Sequence, residues 1–217
     1  MRRALVLLIA SQLAACASGM RPVKQLESGE WMFGAGINGP GAQFDPEISA
    51  WVRFAPWTHL DLTLGGTTTL PLFARVAGGG LAELRGHIPL NPHVRLTLDV
   101  AGELLSYALD DVQGRLAVTR ITAMPLIVWT DPGRAQPYFG PKVMYLSHMD
   151  AVSGFLAESP GFRPDGTGRV LVGGTGGVEG PVGSLILGAS ADLGLLADAE
   201  DGNLTGLYLT VAGYIAY

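Results

Sequence analysis

His93-Val94-Arg95-Leu96-Thr97-Leu98-Asp99-Val100-Ala101-Gly102-Glu103-Leu104-Leu105 decides the fold. Side chains of an extended chain alternate between two faces. Val94, Leu96, Leu98, Val100, Gly102 and Leu104 fall on one face, and His93, Arg95, Thr97, Asp99, Ala101 and Glu103 on the other. A helix would scatter these charges around its axis. The same division recurs at 59–64, where Leu60, Leu62 and Leu64 oppose His59, Asp61 and Thr63. At 82–88, Leu84 and Ile88 oppose Glu83, Arg85 and His87; at 184–196, Leu185, Leu187, Ala189, Leu193 and Leu195 oppose Ser184, Ser190 and Asp192. At 207–217, Leu207, Leu209, Val211, Gly213, Ile215 and Tyr217 alternate with Tyr208, Thr210, Ala212, Tyr214 and Ala216. Less regular strands are predicted at 30–37, 46–55, 115–129, 136–149 and 169–179, which makes ten.

The connections alternate as well. Short turns are expected at Ala55-Pro56-Trp57, Asn91-Pro92, Asp131-Pro132-Gly133-Arg134 and Gly180-Pro181-Val182-Gly183. Longer polar or Gly-rich loops fall between them at 38–45, 66–79, 109–114, 150–168 and 197–204. Short turns at one end and long loops at the other describe a ten-stranded antiparallel up-and-down transmembrane β-barrel, with both termini at the short-turn end. Eight strands, or a soluble lipocalin-like barrel, are the alternative architectures.

Composition narrows the class. The 217 residues include 31 Gly and 14 Pro, with 15% charged and 48% hydrophobic residues, and the mean hydropathy is +0.31. So many helix breakers exclude a helical bundle, and so few charges exclude disorder. Beyond the first fifteen residues no apolar run approaches the roughly 20 residues of a membrane helix, so a span would be made of strands. A net charge of −5 without a Lys/Arg cluster excludes nucleic acid as a partner.

Met1-Arg2-Arg3 forms a basic start, 4–13 an apolar stretch, and Leu13-Ala14-Ala15-Cys16 closes it with small residues, as in a secretory signal peptide. Leu13-Ala14-Ala15-Cys16 resembles the lipobox of bacterial lipoproteins. That resemblance implies cleavage before Cys16 and lipidation of its thiol, and Ala17 resembles the sorting residue of lipoproteins sent to an outer membrane. Ordinary cleavage within Ala15-Cys16-Ala17 is the other reading. Cys16 is the sole cysteine, so no internal disulfide forms, and loss of Arg2 and Arg3 takes the charge from −5 to −7. The expected organisation is a signal peptide at 1–15, a lipidated tether at 16–29 and a β-barrel at 30–217.

Aromatic residues mark the two rims of such barrels. Trp31, Trp57, Trp129, Tyr138, Phe139 and Tyr217 fall at the short-turn ends and are assigned to a periplasmic girdle; Phe44, Tyr107 and Phe155 fall near the other end. Trp51 lies mid-strand beside Arg53 on the polar face. Together these features resemble the small outer-membrane β-barrel proteins of Gram-negative cell envelopes, over residues 30–217. The terminal Tyr217 with Ile215 resembles the signal that the barrel-insertion machinery recognises, although Val211 and Ala212 depart from it. The resemblance implies outer-membrane lipids and that machinery as partners.

Which face is wet separates the barrel types. Scarce charge, mixed signs on the polar face and small residues on the apolar face place the charges inside. Arg53, Asp61, Glu83, Arg85, Arg95, Asp99, Glu103, Arg120, Lys142 and Asp192, with His59, His87 and Glu179, are expected to cross-link a narrow lumen. Arg120 needs a bulge or a register change near Thr119 to join them. A soluble lipocalin-like domain tethered by Cys16 would instead turn the leucines inward around a ligand.

No motif carries an enzymatic, cofactor or metal assignment. Gly34-Ala35-Gly36-Ile37-Asn38-Gly39 fits the dinucleotide pattern, but Pro40 and Pro46 exclude the helix it requires. Gly173-Gly174-Thr175-Gly176-Gly177 lacks the lysine of a phosphate loop. Asp201, Asn203, Thr205 and Gly206 open like a calcium loop, yet Ala212 stands where its bidentate Glu belongs. His59, His87 and His93 could gather at the periplasmic end of the lumen. The placement of Ser147-His148 resembles that of catalytic groups in outer-membrane hydrolases, and a barrel-embedded hydrolase is a third reading, but consecutive strand residues face opposite ways unless the strand ends there. The expected role is structural or interactive, with loop 150–168 supplying any surface specificity.

Overall fold

In a computed structural model the described residues are 22–39, 47–69, 77–108, 115–131, 134–149, 168–199 and 202–217. The leader, Cys16, Phe44, Asp110-Asp111, residues 150–167 with Phe155, and Asp201 lie outside them. Ten strands follow one another: β1 (Trp31–Gly39), β2 (Glu47–Trp57), β3 (Leu60–Thr69), β4 (Ala77–Asn91), β5 (Val94–Ala108), β6 (Arg115–Trp129), β7 (Gln136–Met149), β8 (Arg169–Val182), β9 (Leu185–Asp198) and β10 (Leu204–Ala216). Each pairs antiparallel with its neighbours in sequence, and β1 pairs with β10, so the sheet closes into an up-and-down barrel. Among the described residues no helix is long and apolar enough to cross a membrane.

Alternation drives this architecture. On β5, Arg95, Thr97, Asp99, Ala101 and Glu103 are buried while Leu98, Val100 and Leu104 are exposed. β6 and β7 occupy the predicted spans, 115–129 and 136–149. The turns are tighter than expected. β2 runs through Pro56 to Trp57 and β8 through Pro181 to Val182, leaving two-residue connections at Thr58-His59 and Gly183-Ser184. Gly183 takes the left-handed conformation (φ 65°) that such a turn favours.

The register on β6 corrects one expectation. Pairing with β5 is unbroken from Val94↔Trp129 to Ala108↔Arg115, with Glu103 opposite Arg120, so no bulge occurs at Thr119. Arg120 is inward simply because Thr122, Met124, Leu126 and Val128 are inward too. On the other side of β6 the ladder with β7 is interrupted between Ala123↔Val143 and Ile127↔Phe139. Pro125 and Pro141 fall in that gap at the same level. Neither has an N–H to donate, and placing them opposite each other confines the loss to one interruption.

Glycine clears space where the inward face must be thin. A Cβ at Gly34 would collide with the indole of Trp51, one at Gly177 with Tyr138, and one at Gly188 with the ring of Tyr214. The glycine-rich β8 and its neighbour β9 thus let two tyrosines lie flat across the sheet. Gly188→Val should displace Tyr214 and destabilise the barrel by about 1–3 kcal/mol, as overpacking does; denaturant titration of the folded form measures it, and an unchanged midpoint would contradict the packing.

Candidate functional site

The interior is built from side chains at every second position. All ten residues assigned to the polar interior are buried: Arg53, Asp61, Glu83, Arg85, Arg95, Asp99, Glu103, Arg120, Lys142 and Asp192. Glu47, Glu179 and His87 join them. Arg85 from β4 pairs with Asp99 on β5 and with Glu83 at 3.0 Å. Arg53 on β2 lies 3.5 Å from Glu83 and 3.9 Å from Asp61, while its guanidinium sits 5.7 Å from the centre of the Trp51 ring. His87 meets Asp61 at 2.9 Å and Thr97 at 3.2 Å.

Other contacts cross the lumen. Arg120 on β6 reaches Glu103 at 2.7 Å and Glu47 on β2 at 3.2 Å, joining strands four places apart in the barrel. Lys142 on β7 pairs with Asp192 on β9 at 2.5 Å, and Thr210 on β10 donates to the same carboxylate at 3.2 Å. Tyr214 on β10 donates to Glu179 on β8 at 2.8 Å. The inside is therefore a cross-braced polar core rather than an open channel. It is equally far from the apolar cavity of a lipocalin-like binder.

Residues 22–29, part of the expected tether, are packed against the barrel interior. They enter the barrel at the short-turn end. Arg53 and Arg85 both donate to the Pro22 carbonyl, Arg95 donates to the Val23 carbonyl at 2.6 Å, and the Val23 N–H donates to Glu179 at 2.7 Å. Val23 is fully buried in a cluster with Met124, Leu126, Val128, Tyr138 and Tyr214. Leu26 packs with Met32, Trp51, Ala55, Leu81, Ala101 and Ala216. Gln25 donates to the Thr58 carbonyl and Lys24 pairs with Glu30 at 3.2 Å, fixing the entrance.

This segment is what the sequence reading missed, together with Glu47. Two signals pointed to them. Glu47 continues the inward series Ser49, Trp51, Arg53 one step further, and β6 near its short-turn end is apolar on both faces. Inward Met124, Leu126 and Val128 cannot all face charge, so something apolar must fill the lumen there.

The histidines do not gather. His87 is buried, whereas His59 and His93 are exposed in turns, displaced because β3 and β5 begin one residue later than expected. Among the described residues no three metal-ligating groups converge. Thr205 and Gly206 lie within β10, and Asp201 lies outside the described residues. β7 continues through Ser147 and His148 to Met149, so the strand does not end there to bring the two together.

The outside is the complement. Leu62, Leu64, Leu84, Leu98, Val100, Leu104, Ile121, Val143, Val172, Leu193, Leu195, Leu209 and Val211 are exposed. Among the described side chains, outward positions on the strands carry no Asp, Glu, Lys, Arg or His. At the short-turn rim Trp31, Trp57, Trp129, Phe139 and Tyr217 are exposed; Trp31 stacks near Phe54 and Trp129 near Phe139, with centroids 4.4 and 5.4 Å apart. Tyr138 is the exception to the assigned girdle. It alternates with Phe139 and is only 2% exposed, inside against Val23. A cleft of about 390 Å³ opens at this rim between the entering segment and the β8–β9 turn.

Comparison of the chain with protein-family models, curated proteins and solved structures finds no match, so the site is interpreted from its own geometry.

Because Arg85 is fully buried between two carboxylates, Arg85→Met should strand their charge and destabilise the fold by about 3–5 kcal/mol. Adding Asp99→Leu should recover part of that loss. Unfolding curves for the two variants and for Asp99→Leu alone form the double-mutant cycle, and additive losses would contradict the pairing.

Proposed function

We propose that this chain is an outer-membrane β-barrel lipoprotein with a structural or surface-interaction role and a narrow, polar-packed lumen. The observation that carries the proposal is the outward face, which carries no charge among the described side chains. A band of leucine, valine and isoleucine around a closed sheet has no stable partner in water, and exposed apolar area of this extent marks contact with another apolar phase. Hydrocarbon supplies that phase, and the strands' closure satisfies the backbone within it. Strands of 9–15 residues match or exceed the roughly 9–11 a tilted membrane strand needs.

The rim aromatics support the same placement. Trp31, Trp57, Trp129, Phe139 and Tyr217 sit at the short-turn end, where amphipathic rings favour a membrane–water interface. Cys16 lies six residues before Pro22, a reach of at most about 22 Å, so a lipid on its thiol would enter the adjacent leaflet. Outer-membrane lipids and the barrel-insertion machinery, through Ile215 and Tyr217, are the partners this reading requires. Loop 150–168 at the far end is its surface for other partners.

Leu98 is 43% exposed in the middle of β5. Leu98→Arg should cost about 2–4 kcal/mol if that position faces the bilayer centre, and should reduce the amount of barrel recovered from membranes. A Leu98→Arg chain that folds normally and stays in aqueous solution would overturn the membrane placement. Cys16→Ser should remain in the membrane pellet through an alkaline wash, because the barrel itself spans; release by that wash would show that only the lipid had held it. Mass spectrometry of the mature chain should find acyl mass on Cys16, and a chain beginning at Ser18 would contradict lipidation.

A further inference from the structure

Residues 22–26 are held as a ligand is held. They add no strand to the sheet, so side chains must satisfy their backbone. Arg53 and Arg85 converge on the Pro22 carbonyl, Arg95 takes the Val23 carbonyl, Arg53 also reaches the Lys24 carbonyl at 3.3 Å, and Glu179 accepts the Val23 N–H. Each of these contacts reads main chain, not side-chain identity. Selectivity comes from two apolar pockets three residues apart, one around Val23 and one around Leu26.

Much of the receptor is braced within the barrel itself. Arg85 pairs with Glu83 and Asp99, Arg53 with Glu83, and Glu179 with Tyr214, all barrel residues. Removing the segment would expose carbonyl-seeking donors on guanidinium groups that remain charge-compensated. A route to them exists, because the rim cleft is walled by Lys24, Glu179, Met32, Ile186, Trp31 and Tyr217. It leads from the short-turn side to the flank of the bound segment.

We propose that the short-turn half of the barrel interior is a peptide-binding site, filled in cis by residues 22–26, that takes in trans an extended segment of a partner protein with aliphatic side chains three residues apart. The barrel's interior is then a receptor carrying its own competitor. This does not rest on the membrane reading, since the contacts lie inside the barrel. A short tether keeps the cis segment at an effective concentration in the millimolar range, so a partner binds well only when that segment is released.

The test uses the full-length chain in detergent with Val23→Asp and Leu26→Asp together, which place carboxylates in the two apolar pockets and beside Glu179. The probe is a fluorescent peptide blocked at both ends, with the sequence of residues 20–29. Release of the segment is read as faster modification of Lys24 by an amine reagent. The peptide should then bind saturably and at least about tenfold more tightly to the double variant than to the unaltered chain, reflecting loss of the tethered competitor. A peptide with Asp at the Val23 position should bind at least about tenfold more weakly, because it buries a charge. A folded double variant with Lys24 released but no saturable binding overturns the proposal, as does equal binding of the Asp peptide.

If the double variant does not fold, the unaltered chain decides the matter. A peptide carrying a photoreactive group in place of Val23, added up to millimolar concentration, should crosslink to β6 or β7 around Leu126 and Tyr138, and unlabelled peptide should suppress the crosslink. Crosslinks confined to the barrel exterior, or none, overturn the proposal.

Discussion

Once β1 pairs with β10, no strand edge remains and the two faces of the sheet acquire unequal volumes. Outside, side chains diverge into unlimited space. Inside, ten strands converge on a lumen only slightly wider than those that side chains fill completely in eight-stranded barrels. Every inward charge must therefore find a partner across a short gap, without bulk water to screen it. The Arg120–Glu47 and Lys142–Asp192 contacts are consequences of that convergence, because partners from non-adjacent strands meet only when the sheet is closed.

Closure also explains why the chain's first described residues turn inward. The lower lumen on β6 presents Met124, Leu126 and Val128, and the nearby Arg53, Arg85 and Arg95 direct N–H donors toward the space the segment occupies. Residues 22–26 meet both needs at once: Val23 and Leu26 supply aliphatic bulk, and three successive carbonyls supply acceptors. An aqueous filling could meet only the second need.

The parts legible in the sequence are those governed by the two-residue period. Strand number, the spans of β6 and β7, and the burial of all ten assigned lumen residues follow from which face each residue occupies, and closure did not alter the parity. The departures occur where something else intervenes. Position along the strand groups Tyr138 with the rim, although its parity with Phe139 places it inside. Alternation assigns His59 and His93 to strand faces, but both lie in turns, where alternation stops. Arg120 reaches the lumen without a bulge, and the inward run after it is apolar where a purely polar lumen is expected. The occupant that explains that run is Val23, far earlier in the chain. A long-range contact of this kind leaves no period in the local sequence, only an unexplained apolar face awaiting an occupant.

Charge counting carries the synthesis one step further. Among the described buried residues, the acids Glu47, Asp61, Glu83, Asp99, Glu103, Glu179 and Asp192 outnumber the bases Arg53, Arg85, Arg95, Arg120 and Lys142. Simple pairing would leave arginine no reason to approach a backbone carbonyl. Guanidinium groups, however, carry five N–H donors in a planar fork, and a fork engaged with one carboxylate still points other donors elsewhere. The surplus acids are met by neutral donors: Thr63 to Glu83, Thr210 to Asp192, and Tyr214 with the Val23 N–H to Glu179. Neutral hydrogen-bond donors, beside the charged ones, thus help to accommodate the surplus acids. A lysine at Arg53 or Arg85 would preserve the charge and lose the fork, so the entering segment depends on guanidinium geometry rather than on positive charge alone.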